Sequence, residues 1–221
     1  MIAIELISDT VPSLKLTDTV QRALDWMQEF KLSQLPIVEE GEYEGLVTED
    51  EMLDSADASA QIKAIRYNHS EKPFIHNNRH IYEVIQVMSN RRLELLPVID
   101  AENMYMGSIT LKDLANYFSE LFATSEPGGI IVLEIPRHSY SLSEIGRIVE
   151  STDSKVLSLY LSSVPGSSCL YVTMKLNVQN ISRVISAFER FSYQVVMTYF
   201  EADFESDLKR NMDAFWRYLN V

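Results

Sequence analysis

Apolar residues recur at helical spacing in two stretches of the chain, Val20, Leu24 and Met27 in TVQRALDWMQEF and Ile81, Ile85 and Met88 in HIYEVIQVMSNR. Each stretch predicts an amphipathic helix. A short extended piece precedes each, VPSLKL in one case and KPFIHN in the other. After each comes an apolar run opened by proline, LPIVEE or LPVIDA, which suits the start of a strand. A turn (EGEY or AENMY) and a second strand ending in GLVT or GSIT follow, and a further helix begins straight after the threonine. The pattern strand, helix, strand, strand, helix is therefore written twice.

The two copies align at a constant offset of 61, with Val20 on Ile81, Leu24 on Ile85, Met27 on Met88 and Pro36 on Pro97. Past the turn the offset becomes 62, putting Gly45 on Gly107 and Thr48 on Thr110, so one residue has been inserted in the hairpin turn, where insertion is tolerated best. One such unit leaves a sheet face uncovered, and two copies can cover each other.

Turn chemistry at TSEPGG, residues 124–129, marks a boundary. Beyond it, IIVLEI (130–135) reads as a central strand, and SLSEIGRIVES as a helix with a capping box of Ser141 and Glu144 and an apolar face of Leu142, Ile145 and Val149. KVLSLYLS places Leu157, Leu159 and Leu161 on one side of a strand, and CLYVTMKL does the same with Leu170, Val172, Met174 and Leu176. SVPGSS joins them. A helix burying Ile181, Val184, Ile185 and Phe188 and a last strand, YQVVMTYF, complete a ferredoxin-like order, strand, helix, strand, strand, helix, strand. The tail repeats Phe204, Leu208, Met212, Phe215 and Leu219 along one helical stripe, with Trp216 off it.

Composition narrows the choices. With 46% hydrophobic residues, 7 Gly and 7 Pro in 221 residues, the chain can bury a core. The net charge of −13 is concentrated in residues 1–125, which hold 21 acidic and 10 basic side chains. So acidic a surface repels a phosphate backbone, which argues against nucleic acid and anionic membrane as partners. The lone Cys169 reads as a buried, inert thiol. MIAIELISDT lacks the basic and then apolar pattern of a signal peptide, and no apolar run is long enough to span a bilayer, so a cytoplasmic location is expected.

The chemistry lies in the doubled Gly-x-x-Thr-x-x-acid segment. A threonine ending a strand and an acid three residues later share one side of the chain, and together they offer a hydroxyl and a carboxylate beside a helix N-terminus. Such a pocket suits a ribose diol next to a phosphate. The same spacing is also a common helix cap that needs no ligand. Cations concentrate between the copies, at Lys63, Arg66, His69, Lys72, His76, Arg79 and His80. Lys72 or Arg79 is the candidate for a phosphate tail, the other reading being a solvated connecting stretch. The histidines of HNNRH straddle a strand end and a helix start, so no metal site is expected.

LPIVEEGEYEGLVTEDEM and LPVIDAENMYMGSITLKDL resemble the CBS domain family (cystathionine beta-synthase domains) in tandem, the Bateman module. That resemblance covers about residues 1–122. It implies an adenosine-containing ligand, AMP, ADP, ATP or S-adenosylmethionine, bound in clefts between the repeats with the motif Thr and acid on the ribose. The implied set is Thr110, Asp113 and Gly107 for one site and Thr48, Glu51 and Gly45 for the other, with Phe74, Pro97, Lys72 and Arg79 as further candidates. Glu51 stands where the family carries aspartate and is one methylene longer, so the Thr110 site is the preferred one.

The third segment is similar to ACT-type domains by its element order, and the whole layout to the acetoin-utilisation proteins of the AcuB type. ACT amino-acid sites use a glycine in the first strand–helix loop; PRHSYS has none, so this domain is expected to serve dimerisation. The expected fold is thus α+β: repeat 1 over 1–59, repeat 2 over 60–122, a linker at 123–129, a βαββαβ ACT-like domain over 130–201 and an amphipathic helix over 202–221. The expected function is regulatory, a homodimer sensing an adenosyl ligand and signalling to its own ACT-like domain or to another protein. The alternative is a ligand-free adaptor homodimer. No nucleophile–base arrangement, phosphate-binding loop or dinucleotide fingerprint is present, so no enzyme activity is expected.

Overall fold

The computed structural model describes residues 1–8, 10–55, 57–65, 72–163 and 166–200. The tail helix expected at 202–221, with Arg66 and His69, lies outside the described residues. The chain divides into two compact units, Met1–Tyr117 and Phe118–Val221.

In the first unit both copies of the pattern fold alike. The first gives α1 (Val20–Phe30), β1 (Gln34–Glu39), β2 (Glu42–Thr48) and α2 (Glu49–Leu53); the second gives β3 (Ile75–His76), α3 (Ile81–Arg91), β4 (Leu95–Ile99), β5 (Tyr105–Thr110) and α4 (Leu111–Leu121). Thr19 caps α1 by accepting from the Arg22 amide (3.2 Å), and His80 caps α3 by accepting from the Tyr82 amide (3.3 Å). Val20, Ala23 and Met27 are buried on α1, and Ile81, Val84 and Met88 on α3. Leu24 and Ile85, expected in these stripes, are only half-buried at their margins.

Each proline-led strand pairs antiparallel with its successor, β1 with β2 and β4 with β5, and each ladder has a bulge at the matching place, Ile37/Val38 and Val98/Ile99. Leu14 bridges in parallel to Ile37, as Ile75 does to Val98. The inserted residue sits in the second turn, where the Asp100 carboxylate accepts from the Glu102 and Met104 amides at 3.0 and 2.8 Å.

The repeats exchange their leading segments, which the hydrophobic pattern does not foretell. Residues 2–8 lie on the second repeat: the Ala3 amide donates to the Arg79 carbonyl (2.8 Å) and the Ser8 amide to the Ser108 carbonyl (3.0 Å). Reciprocally, the Ile62 amide donates to the Asp18 carbonyl (2.9 Å), and Ile62 is buried in the first repeat's core with Leu14, Met27, Leu35, Ile37 and Met52. Gly107 permits this crossing. Its φ is +140°, and a Cβ there would stand 2.3 Å from Ile7 Cγ2.

The second unit is a four-stranded antiparallel sheet, in the order β7-β8-β6-β9, of β6 (Ile130–Pro136), β7 (Val156–Ser162), β8 (Cys169–Leu176) and β9 (Gln194–Tyr199). Helices α5 (Leu142–Glu150) and α6 (Ser182–Arg190) contribute to one core with it. That core holds Ile131, Leu133 and Ile135 from β6, Val172, Met174 and Leu176 from β8, and Val184 and Phe188 from α6, while Leu170, the fourth residue expected on β8, is buried outside it. Gly128 admits the entry into β6, since a Cβ there would lie 1.9 Å from the Leu176 carbonyl oxygen. This is the expected ferredoxin-like βαββαβ arrangement.

Four local expectations are corrected here. Leu142 is 56% exposed, because α5 buries Ile145, Ile148 and Val149 instead. On β7 a register shift between Val156 and Ser158 turns Val156 and Leu159 toward the core, so Leu157, Leu159 and Leu161 do not form one buried row. Ser141 does cap α5, accepting from the Glu144 amide (3.3 Å), but the Glu144 carboxylate accepts from the Tyr193 hydroxyl (2.8 Å) rather than closing the box. Cys169 is half-buried at the end of β8, not fully enclosed.

Candidate nucleotide site

Both Thr-x-x-acid segments form the same object, a reciprocal cap at the start of a helix. In the second repeat the Thr110 amide and hydroxyl donate to Asp113 Oδ2 at 2.8 and 2.5 Å, while the Asp113 amide donates to Thr110 Oγ1 at 3.2 Å. In the first, the Thr48 amide and hydroxyl donate to Glu51 Oε2 at 2.9 and 3.1 Å, and the Glu51 amide to Thr48 Oγ1 at 3.2 Å. The extra methylene of Glu51 is absorbed by its flexible side chain. One carboxylate oxygen thus supports the cap in each case, and at Asp113 the second, Oδ1, accepts no hydrogen bond among the described residues.

The Thr110–Asp113 pair lines a cleft of about 770 Å³ within the first unit. The end of α1 contributes Glu29, Phe30, Lys31 and Leu32, the N-terminal segment Ser8, Thr10 and Val11, and the start of α4 Leu111, Lys112 and Asn116, with Glu94 also on the wall. This volume lies in the range of small-molecule sites. The exchange of leading segments brings Ser8, Thr10 and Val11 here, and their contribution could not be read from local pattern.

Glu94 joins the cleft to the first repeat. Its Oε2 accepts from the Ser33 amide (3.2 Å) and hydroxyl (2.8 Å), and its carbonyl accepts the Leu111 amide (3.0 Å) at the start of α4. Ser33, the matching residue of the first copy, receives the Glu49 amide at the start of α2 on its own carbonyl (2.8 Å). These contacts, with the Glu94 amide donating to Gln34 Oε1 (3.2 Å), link the capped starts of the two motif helices.

The other candidate residues fall elsewhere. Lys72 pairs with Glu44 (3.1 Å) and Arg79 with Glu83 (3.7 Å), and neither lines this cleft. Phe74 is 40% exposed and meets His76 edge to face. Pro97 sits within β4 opposite Ser108, Gly107 packs on Ile7, and Gly45 lies opposite Ile37. His76 Nδ1 contacts the Asp100 carbonyl (3.2 Å) and His80 is spent on its helix cap. Among the described residues no cluster of three or more His, Cys, Asp or Glu is placed to hold a metal ion. Burial pushes the Tyr43 and Tyr105 phenols above their usual range; both stay neutral, bonded to the Pro73 carbonyl (3.0 Å) and the Ser108 hydroxyl (2.9 Å) respectively.

The cations that do face the cleft, Lys31 and Lys112, were not among the candidates. A signal for Lys112 existed, since it lies inside the motif between Thr110 and Asp113. Lys31 had none, because only folding carries the end of the first helix to the second motif.

This doubled strand–hairpin–capped-helix unit, with exchanged leading segments and a cleft at the motif, is a tandem-repeat architecture. The chain belongs to the CBS domain family, whose model matches residues 3–57 and 64–120, about half of the chain. A curated relative, inosine-5'-monophosphate dehydrogenase of Methanocaldococcus jannaschii, is 28% identical over 113 residues, 50% of this chain; the match spans only 22% of that enzyme. Among solved structures, a putative acetoin utilization protein from Vibrio cholerae is similar at a TM-score of 0.50 and 18% identity, over 57% of this chain and 96% of that one. A CBS domain pair/ACT domain protein from Thermotoga maritima is similar at 0.49 and 20% identity, over 54% of this chain and 98% of that one. No helix among the described residues is long and apolar enough to cross a membrane.

Proposed function

We propose that the protein is a non-catalytic regulatory sensor, a cytoplasmic homodimer that binds an adenosine-containing ligand in the Thr110–Asp113 cleft. The observation that carries this reading is the arrangement of Asp113: one oxygen anchored by the Thr110 amide and hydroxyl, the other uncommitted in a cleft of nucleotide size. A carboxylate held in this way is pre-organised to accept a ribose hydroxyl with little further ordering cost. Membership of the CBS family supports the choice of an adenosyl ligand, AMP, ADP, ATP or S-adenosylmethionine.

Signal transfer begins at Glu94, which touches both the cleft and Ser33 of the other repeat. A ligand that favours one setting of this contact shifts the balance between two repeat arrangements. The ACT-like domain or a partner protein reads the shift.

A ligand-free adaptor is the second reading, and one observation favours it: each motif already serves as a helix cap without any ligand. Thermal unfolding with AMP, ADP, ATP and S-adenosylmethionine at about 1 mM separates the two. A ligand at about 100 times its Kd stabilises by roughly 2.7 kcal/mol, a shift of several degrees. Such a shift, lost in Asp113→Asn, supports the sensor; no shift with any of the four supports the adaptor.

A further inference from the structure

We infer that the cleft selects an adenosine ligand carrying a single phosphate, that Lys31 is the residue holding that phosphate, and that Glu29 and Glu94 disfavour longer phosphate chains. This rests on the adenosyl reading given above. The cleft wall carries three carboxylates, Glu29, Glu94 and Asp113, against two ammonium groups, Lys31 and Lys112. Neither lysine is in an ion pair with another described residue, so both charges are available to an anion. With two cations and an acidic surround, one phosphate finds partners, whereas each added phosphate meets Glu29, Glu94 and the negative field of the whole chain.

The backbone at Lys31 supplies an independent observation. Lys31 ends α1 in the left-handed conformation, φ 55° and ψ 48°, with its amide donating to the Met27 carbonyl. This helix-end position is ordinarily glycine or asparagine, because a Cβ is unfavourable there. Arg92 ends α3 in the same conformation, φ 54° and ψ 45°. A long basic side chain thus ends the first helix of each repeat, and the one at Lys31 lies on the cleft wall. Left-handed non-glycine residues also occur at Glu40, Asn103, Ala123, Asp153 and Ser192, and of these and the two helix ends only Lys31 lines this cleft.

The test separates folding from binding. Lys31→Gly relieves the left-handed strain, so the variant is expected to melt at or above the wild-type temperature. Calorimetric titration of the full chain with adenosine, AMP and ATP, at low salt with EDTA, is expected to rank AMP above both. Lys31→Gly should weaken AMP about threefold to tenfold, the scale of one exposed charge contact, and leave adenosine unchanged. Glu29→Gln should narrow the gap between AMP and ATP. ATP binding more tightly than AMP, or an unchanged AMP-to-adenosine ratio in Lys31→Gly, overturns the inference while the adenosyl reading stands. If adenosine and both nucleotides fail to bind the wild-type chain, the adenosyl reading falls and takes the inference with it.

Discussion

Asp113→Ala is expected to destabilise the first unit even with no ligand present. The substitution removes the acceptor of two hydrogen bonds, from the Thr110 amide at 2.8 Å and the Thr110 hydroxyl at 2.5 Å, and Thr110 is only 8% exposed. The hydroxyl can rotate toward water, but the amide is fixed in the strand end and is left unpaired. An unpaired buried donor costs about 1–3 kcal/mol, and loss of a negative charge in the first turn of α4 adds about 0.3–1 kcal/mol. The Asp113 amide keeps its bond to Thr110 Oγ1, so the cap is weakened rather than lost. A total near 2 kcal/mol corresponds to roughly 6–10 °C in a folding unit of this size. The assay is thermal unfolding by circular dichroism, reading the transition of the first unit, with Asp113→Asn, which retains an oxygen acceptor, as the milder comparison. The amide distance at Thr48 and Glu51 nearly matches (2.9 Å) but the hydroxyl bond is longer (3.1 Å), so Glu51→Ala should cost a similar amount or somewhat less. A melting temperature within about 1 °C of wild type for Asp113→Ala would refute the reasoning, since the described cap would then contribute nothing measurable.

Three further outcomes follow from the same geometry. Gly107→Ala places a Cβ 2.3 Å from Ile7 Cγ2 at φ +140°, and should loosen residues 2–8, seen as faster amide exchange at Ala3, Ile4 and Ser8. Glu94→Ala leaves the Ser33 amide without its carboxylate acceptor and should speed exchange there, while Leu111, held by the Glu94 backbone carbonyl, keeps its protection. Tyr193 has its phenol pushed up to about 12 by burial, by its bond to Glu144 and by that carboxylate's charge. The raised value means the stabilisation is complete below pH 10 and is lost as pH rises toward 12; a pH titration of unfolding should show this loss in wild type and a smaller one in Tyr193→Phe.

What the sequence disclosed is what depends on neighbours along the chain. Helical spacing found α1 and α3, alternation found β8, and the matching Thr-x-x-acid spacing found both caps, because each is settled within a few residues. The bulge in β7 escaped notice since a single unpaired residue leaves the composition of the strand unchanged while reversing its faces. Leu142 was misassigned because the choice between two adjacent apolar stripes on α5 is made by the sheet it packs on. Lys72 and Arg79 drew attention as a local cluster of charge, yet each has a carboxylate within 4 Å and stays at the surface. The cleft itself was the least visible feature. Its wall combines Ser8, Thr10 and Val11 with residues 29–32, Glu94, residues 110–113 and Asn116, brought together by the exchange of leading segments, and no periodicity in the chain records that exchange.

Amide hydrogen exchange of the full chain, with and without saturating AMP, addresses ligand and location together. Binding in the cleft should slow exchange at Ser8, Thr10 and Val11, at Lys31 and Leu32, and across 110–116, while β7 and β8 of the second unit keep their rates near the strand centres. Unchanged exchange at all of these cleft positions, or protection confined to the second unit, would contradict a nucleotide site at Thr110 and Asp113.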